Sequence, residues 1–248
     1  MKIDDLVLLL SKEESYLVRI SDRKINTNSG TIDVKKLKKK KFGDEIKTHL
    51  GKKFSIIKPT IRDILMKKAR RLPQIVMPKD VALILAYTGI SSDSKVIDAG
   101  TGSGFLSIFL ANYLKNGKII TYEKNKKIVE NIKNNIKLSG LKNIKLRVKD
   151  ILKGIKEKNV DMITLDMINA EKVIKHAYNA LKPGGWLVVY SPYIEQVIAV
   201  RDEIKKRNFT GVKTVESILR EWDVNYHTLP KRSGITHTGF ITFARKVK

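Results

Sequence analysis

The run Val96-Ile97-Asp98-Ala99-Gly100-Thr101-Gly102-Ser103-Gly104-Phe105-Leu106 begins as a short apolar strand, breaks into three closely spaced glycines and continues as an apolar helix. A strand that ends in glycines and opens a helix is a ligand-binding turn. Missing side chains let the backbone approach a ligand, and the first turn of the helix offers unpaired N–H donors. The glycines fall at 100, 102 and 104, with Phe105 following, which departs from the G-x-G-x-x-G spacing of dinucleotide sites. Asp98 sits two residues before the first glycine. A carboxylate there opposes a pyrophosphate and favours a cationic ligand.

Around this turn, strands alternate with helical patterns. Lys79–Gly89, Phe105–Leu114, Asn125–Ser139, Ala170–Leu181 and Glu195–Arg207 have apolar residues at helical spacing. Lys95–Ala99, Lys118–Glu123, Ile144–Val148, Val160–Leu165 and Trp186–Ser191 read as buried strands, with a turn at Lys182-Pro-Gly-Gly and two further strands at Thr214–Leu219 and Gly239–Ala244. That alternation predicts an α/β fold, a Rossmann-like and mainly parallel sheet with helices on both faces. Residues 1–68 differ. Short apolar runs at Leu6–Leu10, Tyr16–Ile20, Thr31–Val34 and Phe54–Ile57 predict a small β-rich N-terminal domain of four to six strands, and 69–248 form the second domain.

The carboxyl ends of the strands carry acids. Glu123 lies 23 residues beyond Gly100, close to the offset at which an acidic side chain grips a ribose diol. Asp150 ends the next strand, where it can accept from an adenine amino group, and Asp166 ends the fourth. S-adenosylmethionine, with its sulfonium and ammonium groups, is the cationic ligand that suits this rim.

These residues give the chain its resemblance to class I S-adenosylmethionine-dependent methyltransferases, and more closely to the tRNA (adenine-N1) methyltransferases that modify the T-loop. The more specific marks are Arg70-Arg71-Leu72-Pro73-Gln74-Ile75-Val76-Met77-Pro78-Lys79-Asp80, Leu165-Asp166, Ser217–Trp222 and Thr236-His237-Thr238-Gly239-Phe240. The resemblance implies that Asp98, Gly100, Gly102, Ser103, Gly104 and Leu106 line the methionine and ribose part of S-adenosyl-L-methionine, with Gln74 also on the cofactor. It gives Glu123 the ribose hydroxyls, Asp150 the adenine edge, and Asp166 the catalytic place facing the target base. Met77, His237, Arg232 and Lys38 are the expected contacts to tRNA. The resemblance also implies a homotetramer acting on adenine 58, and in some members on 57 as well. Two departures bear on the base pocket: Met77 stands where relatives often carry an aromatic residue or histidine, and Met167-Ile168-Asn169-Ala170 stands where they usually place a proline.

Composition narrows the remaining choices. The 248 residues include 50 Lys+Arg against 25 Asp+Glu, a net charge of +25, which predicts a polyanionic partner. Eighteen basic and nine acidic residues fall in 1–68, so the excess is shared by both parts, and Lys35–Lys41 holds six lysines in seven positions. The absence of cysteine excludes disulfide scaffolds, thiol catalysis and cysteine-ligated zinc. No histidine or acid spacing resembles a metal site, and His49, His176 and His227 are read as structural. No stretch reaches the length of a membrane helix, so a soluble cytoplasmic protein is expected. Two other readings have to be weighed against the tRNA enzyme. A same-fold methyltransferase acting on a protein carboxylate or a corrin-like molecule has little use for such a charge. An inactive RNA-binding subunit has little use for an intact turn and all four acids.

Overall fold

Alternation with period two builds the first unit. In β1 (Leu6–Leu10) Val7 and Leu9 point into the core, and in β6 (Lys53–Ile57) Phe54 and Ile56 do the same. With β2 (Ser15–Arg19) and β5 (Glu45–Lys47) they form an antiparallel sheet in the order β2-β1-β6-β5, and β3 (Lys24–Thr27) pairs with β4 (Gly30–Asp33) as a separate hairpin. The lysine run is ordered by its one apolar member. Leu37 is fully buried, Asp33 accepts from the Lys35 N–H, and Val34–Lys39 forms a 3-10 helix between them. The computed structural model describes residues 1–21, 23–72, 74–224, 228–231 and 237–248. It divides the chain into two compact units, Met1–Arg70 and Arg71–Lys248. The division falls just past Lys68 because α1 (Ile61–Lys67), started by a Thr60/Asp63 capping box, belongs with the first unit, where Lys67 Nζ donates to Ser15.

The second unit begins with α2 (Pro78–Thr88), β7 (Lys95–Ala99), α3 (Phe105–Tyr113), β8 (Lys118–Glu123), α4 (Val129–Ser139), β9 (Ile144–Val148) and β10 (Val160–Leu165). It continues with α5 (Ile174–Ala180), β11 (Leu181–Ser191), α6 (Ile194–Lys205), β12 (Phe209–Glu216), β13 (Trp222–Val224), β14 (Thr228–Pro230) and β15 (Phe240–Lys246). The seven-stranded sheet runs β12-β15-β11-β10-β7-β8-β9. Pairings from β9 to β11 are parallel, while β15 is antiparallel to both β11 and β12. Each face has its own core. Ile97 and Ala99 of β7 pack with Ala177 of α5 and Val200 of α6, whereas Val96 packs with Ile84 of α2 and Leu110 of α3.

Several details differ from expectation. The strand expected at Thr214–Leu219 runs instead over Phe209–Glu216, where its antiparallel ladder to β15 pairs Phe209 with Lys246 and Glu216 with Phe240. β11 already pairs at Leu181 and then breaks register against β10, so Pro183-Gly184-Gly185 is an irregularity within the strand and not a separate turn. A Cβ at Gly185 would lie 2.9 Å from the carbonyls of Lys182 and Val160, which explains the glycine. Two of the expected helices begin as 3-10 turns, at Lys126–Ile128 and Ala170–Val173. The hairpin β13–β14 was not anticipated, because its strands are only three residues each and bury almost nothing, too short for an alternation to stand out.

Candidate active site

The glycine turn is clasped from both sides. The Gly100 N–H donates to the Asp166 carbonyl (3.1 Å), the Asp166 N–H to the Ala99 carbonyl (2.5 Å), and the Thr101 N–H to the Tyr122 carbonyl (3.1 Å). Gly102 and Gly104 adopt φ of +56° and +84°, the left-handed region in which a side chain is strained. From α4, Asn135 Nδ2 donates to the Ser103 carbonyl (2.8 Å). Glu123, at the end of β8, accepts from the Gly102 N–H (3.2 Å) with one oxygen and from the Asn125 N–H (2.8 Å) with the other. Each oxygen keeps a lone pair for a further donor.

Asp98 is corrected by the structure. Its carboxylate does not face a ligand. It lies sealed beneath the turn, 1% exposed, accepting from the hydroxyls of Ser107, Thr164 (2.7 Å) and Thr121 (3.2 Å). It thereby ties α3, β10 and β8 around the glycines. Burial pushes this carboxyl upward, the three hydroxyls oppose that, and the charge of Glu123 adds to it. Leu106 is likewise core, 6% exposed and packed in the α2–α3 cluster, so only its backbone can serve the turn. Asp150 lies beyond the end of β9, where its Oδ1 caps the 3-10 turn Ile151–Lys153 by accepting from the Leu152 N–H (3.0 Å). It shares a cleft with Tyr122, Arg147 and Lys153.

Asp166 opens into a cavity of about 290 Å³. The walls are Gln74, Ile75, Met77, Tyr190, Pro192, His237 and Thr238, so among the described residues Asp166 is the only carboxylate lining it. Burial, with the negative charge of Asp98 behind it, pushes the Asp166 carboxyl up to about 7. Gln74, Met77 and His237 are thus brought together beside Asp166. Arg232 lies outside the described residues, as does His227. Lys38 belongs to the first unit, on the 3-10 helix of the lysine run.

His237 braces the wall. Its Nδ1 meets the Glu216 carboxylate and its Nε2 the Pro192 carbonyl (3.0 Å). Both partners are acceptors, so the ring is best satisfied as an imidazolium, and the Glu216 hydrogen bond, with that to Pro192, raises its pKa. Behind the cavity, three of the segments quoted as family marks meet in a network that their spacing did not reveal. Lys79 Nζ donates at 2.8 Å to Asp80, to the Ser217 carbonyl and hydroxyl, and to the Thr238 hydroxyl. Asp80 is fully buried and also accepts from Ser217 (2.8 Å) and Thr238 (3.2 Å). Tyr190 was missed as well, since nothing distinguishes it from a core strand residue. Its hydroxyl donates to the Thr238 carbonyl (2.6 Å), and burial pushes its pKa up to about 12.

The family model described as the tRNA methyltransferase complex GCD14 subunit matches residues 56–236. The chain belongs to this family. The GCD14-family chain is 34% identical over 268 residues to the tRNA (adenine(57)-N(1)/adenine(58)-N(1))-methyltransferase TrmI of Methanocaldococcus jannaschii, covering 96% of this chain and 94% of that one. Among solved structures it is similar to a SAM-dependent O-methyltransferase from Thermotoga maritima, with TM-score 0.90 and 31% identity over 100% of this chain and 95% of the other. It shares its fold with the tRNA (m1A58) methyltransferase TrmI from Aquifex aeolicus, with TM-score 0.83 and 23% identity over 100% and 99% of the two chains. Of the two departures noted in the sequence, Met77 lines the cavity of this GCD14-family protein. The segment after Asp166 does not line it: Met167 packs on the core and Ile168 points to solvent, 76% exposed.

Proposed function

We propose that this chain transfers a methyl group from S-adenosylmethionine to N1 of a T-loop adenine in tRNA, at position 58 and, as in the archaeal relative, at 57. One observation carries the reading. Among the described residues one carboxylate, Asp166, with its pKa near neutrality, lines a cavity large enough for a base, and its own backbone is bonded to the glycine turn.

The residues present fit the cofactor. Side-chain-free backbone at Gly100, Gly102 and Gly104 and spare lone pairs on Glu123 suit a ligand with a diol, and carboxylates at Glu123 and Asp166 suit its cationic centres. Gly100–Gly104 and Glu123 would hold it, with Asp150 toward the adenine. When bound, it supplies an electrophilic methyl group on sulfonium sulfur. N1 of adenine has a free lone pair at neutral pH, so no residue needs to remove a proton before attack. As positive charge spreads over the ring, the exocyclic amine becomes a stronger donor. Asp166, in its ionised form, accepts from that amine and stabilises the transition state more than the ground state. Tyr190 and Met77 wall the base, and His237, Lys79 and Asp80 hold those walls in place.

Supporting a tRNA substrate is the charge of +25, which can offset the few kcal/mol needed to extrude a base from a folded RNA. The reading includes a homotetramer, supported by the exposed apolar side chains Trp222, Val224 and Leu229 on the β13–β14 hairpin and Ile194 and Ile198 on α6. It also includes a cytoplasmic location. Among the described residues no helix is long and apolar enough to cross a membrane. Incubation with labelled S-adenosylmethionine and an unmodified tRNA transcript, followed by mapping, tests the proposal. Label at a T-loop adenine is expected, and label on oxygen, on another nucleotide or on none contradicts it.

A further inference from the structure

The first unit contains a cleft that the methyl-transfer chemistry does not use. It has a volume of about 520 Å³, is open to solvent, and is lined by Lys24, Thr31, Asp33, Lys36, Lys47, Thr48 and His49. The geometry points to a binding site for the sugar–phosphate backbone of the tRNA substrate, a foothold that rests on the reading of the chain as a tRNA enzyme.

The argument begins with His49. The His49 N–H donates to the Thr31 carbonyl (3.0 Å), and the Thr31 N–H donates to His49 Nδ1 (2.8 Å). The first hydrogen bond fixes the backbone of His49 and the second fixes its ring. Because Nδ1 accepts, the neutral ring must carry its proton on Nε2, which is then a fixed donor. Gly30 makes room for it, since a Cβ there would lie 3.1 Å from His49 Cε1 and Nδ1. A histidine that sequence reading takes as structural is therefore structural through one nitrogen only.

Three ammonium groups join this donor. Among the described residues Lys24, Lys36 and Lys47 have no carboxylate partner, whereas nearby Lys52 and Lys53 are paired with Glu13 and Glu45. Thr48, buried, accepts the Lys52 N–H (3.1 Å), which leaves its hydroxyl proton to donate. Asp33 is the one acid, and an oxygen of it already caps the Lys35 N–H (3.1 Å). The cleft thus offers an excess of donors and positive charge to an anion with several oxygens. It is much larger than one phosphate, which favours a polymer backbone passing through. Of Lys35–Lys41 only Lys36 lines the cleft, and Lys24 and Lys47 come from elsewhere in the sequence.

The test uses the full chain and an unmodified tRNA transcript. The triple substitution Lys24→Gln, Lys36→Gln, Lys47→Gln is compared with Lys39→Gln, Lys40→Gln, Lys41→Gln, which removes the same charge outside the cleft. Expected for the cleft variant is affinity weakened by about 10–100-fold and a salt dependence shallower by about two to three in slope, with turnover at saturating tRNA unchanged. The control is expected to lose less than about threefold. In the unsubstituted protein, tRNA should shield Lys24, Lys36 and Lys47 from acetylation, and inorganic phosphate at millimolar concentration should not. Equal losses in both variants, an unchanged cleft variant, or equal shielding by phosphate would overturn the proposal while methyl transfer stands. An unsubstituted protein that neither binds nor methylates tRNA overturns both.

Discussion

Asp166 is costly to the fold in the state in which it is useful. Its folded pKa of about 7 stands above the ordinary 3.8, so folding takes up a proton between those values. The resulting stabilisation is complete below the unfolded value and is lost as pH rises through 7. Asp166→Asn, always neutral, should therefore raise Tm at pH 8 and change it little at pH 4, at about 2–4 °C per kcal/mol for a chain of this size. Thermal unfolding of both proteins at the two pH values checks this, and an equal shift at both would show that burial of charge is not the cause. The charge of Asp98 adds to burial in raising the Asp166 pKa. Asp98→Asn can keep hydrogen bonds to Ser107, Thr121 and Thr164 because hydroxyls rotate, but it removes the negative charge. The acid limb of the activity profile should move to lower pH, and an unmoved limb would separate the two carboxylates. The sequence pattern placed Asp98 on the strand and turn correctly but assigned its carboxylate to the ligand. Only the three hydroxyls, from α3, β8 and β10, reveal that it points inward, and no spacing within one motif records them.

At the scale of elements, the start of α2, the end of β12 and the segment leading into β15 are held by one cation. Lys79→Met leaves Asp80 buried without its counter-charge, and loss of about 3–5 kcal/mol is expected, measured by urea unfolding. A loss below about 1 kcal/mol would mean that the network contributes no more than a surface pair. Gly239 is the other joint. A Cβ there would lie 2.5 Å from Tyr190 Cζ, so Gly239→Ala should displace the ring that walls the cavity and raise KM for tRNA, with cofactor affinity retained. Unchanged tRNA kinetics would remove Tyr190 from the base pocket. Strands β1, β8, β9 and β10 match their sequence-based bounds because apolar runs bounded by turn residues define them. The segments that carry the Lys79 network stood out as family marks, but the contact between them was not legible. Apart from the neighbouring Asp80, its partners Ser217 and Thr238 lie 138 and 159 residues away, and no spacing within one segment records that they meet.

For the whole molecule, the excess of 25 positive charges makes tRNA association an electrostatic process. Binding should weaken by about 10³-fold or more between 50 and 200 mM salt if six or more phosphates are contacted. A nearly flat dependence would mean that the charge serves solubility alone. Composition made the partner class legible, but it could not say which lysines form a site. That depends on which are neutralised by Glu13 and Glu45 and which are left facing the cleft. The assembly is checked by light scattering, where the proposed tetramer has four times the 28.2 kDa mass of the chain.

The chemistry itself is tested most directly by the pH dependence of kcat/KM for tRNA, with unsubstituted protein and Asp166→Asn side by side. The unsubstituted enzyme should gain tenfold per pH unit on the acid side and level off above about 7, while the Asn variant is pH-independent and lower by about 10²–10³-fold. Equal rates in the two proteins, or a flat profile with Asp166 intact, would contradict a carboxylate that must be ionised to receive the adenine amine.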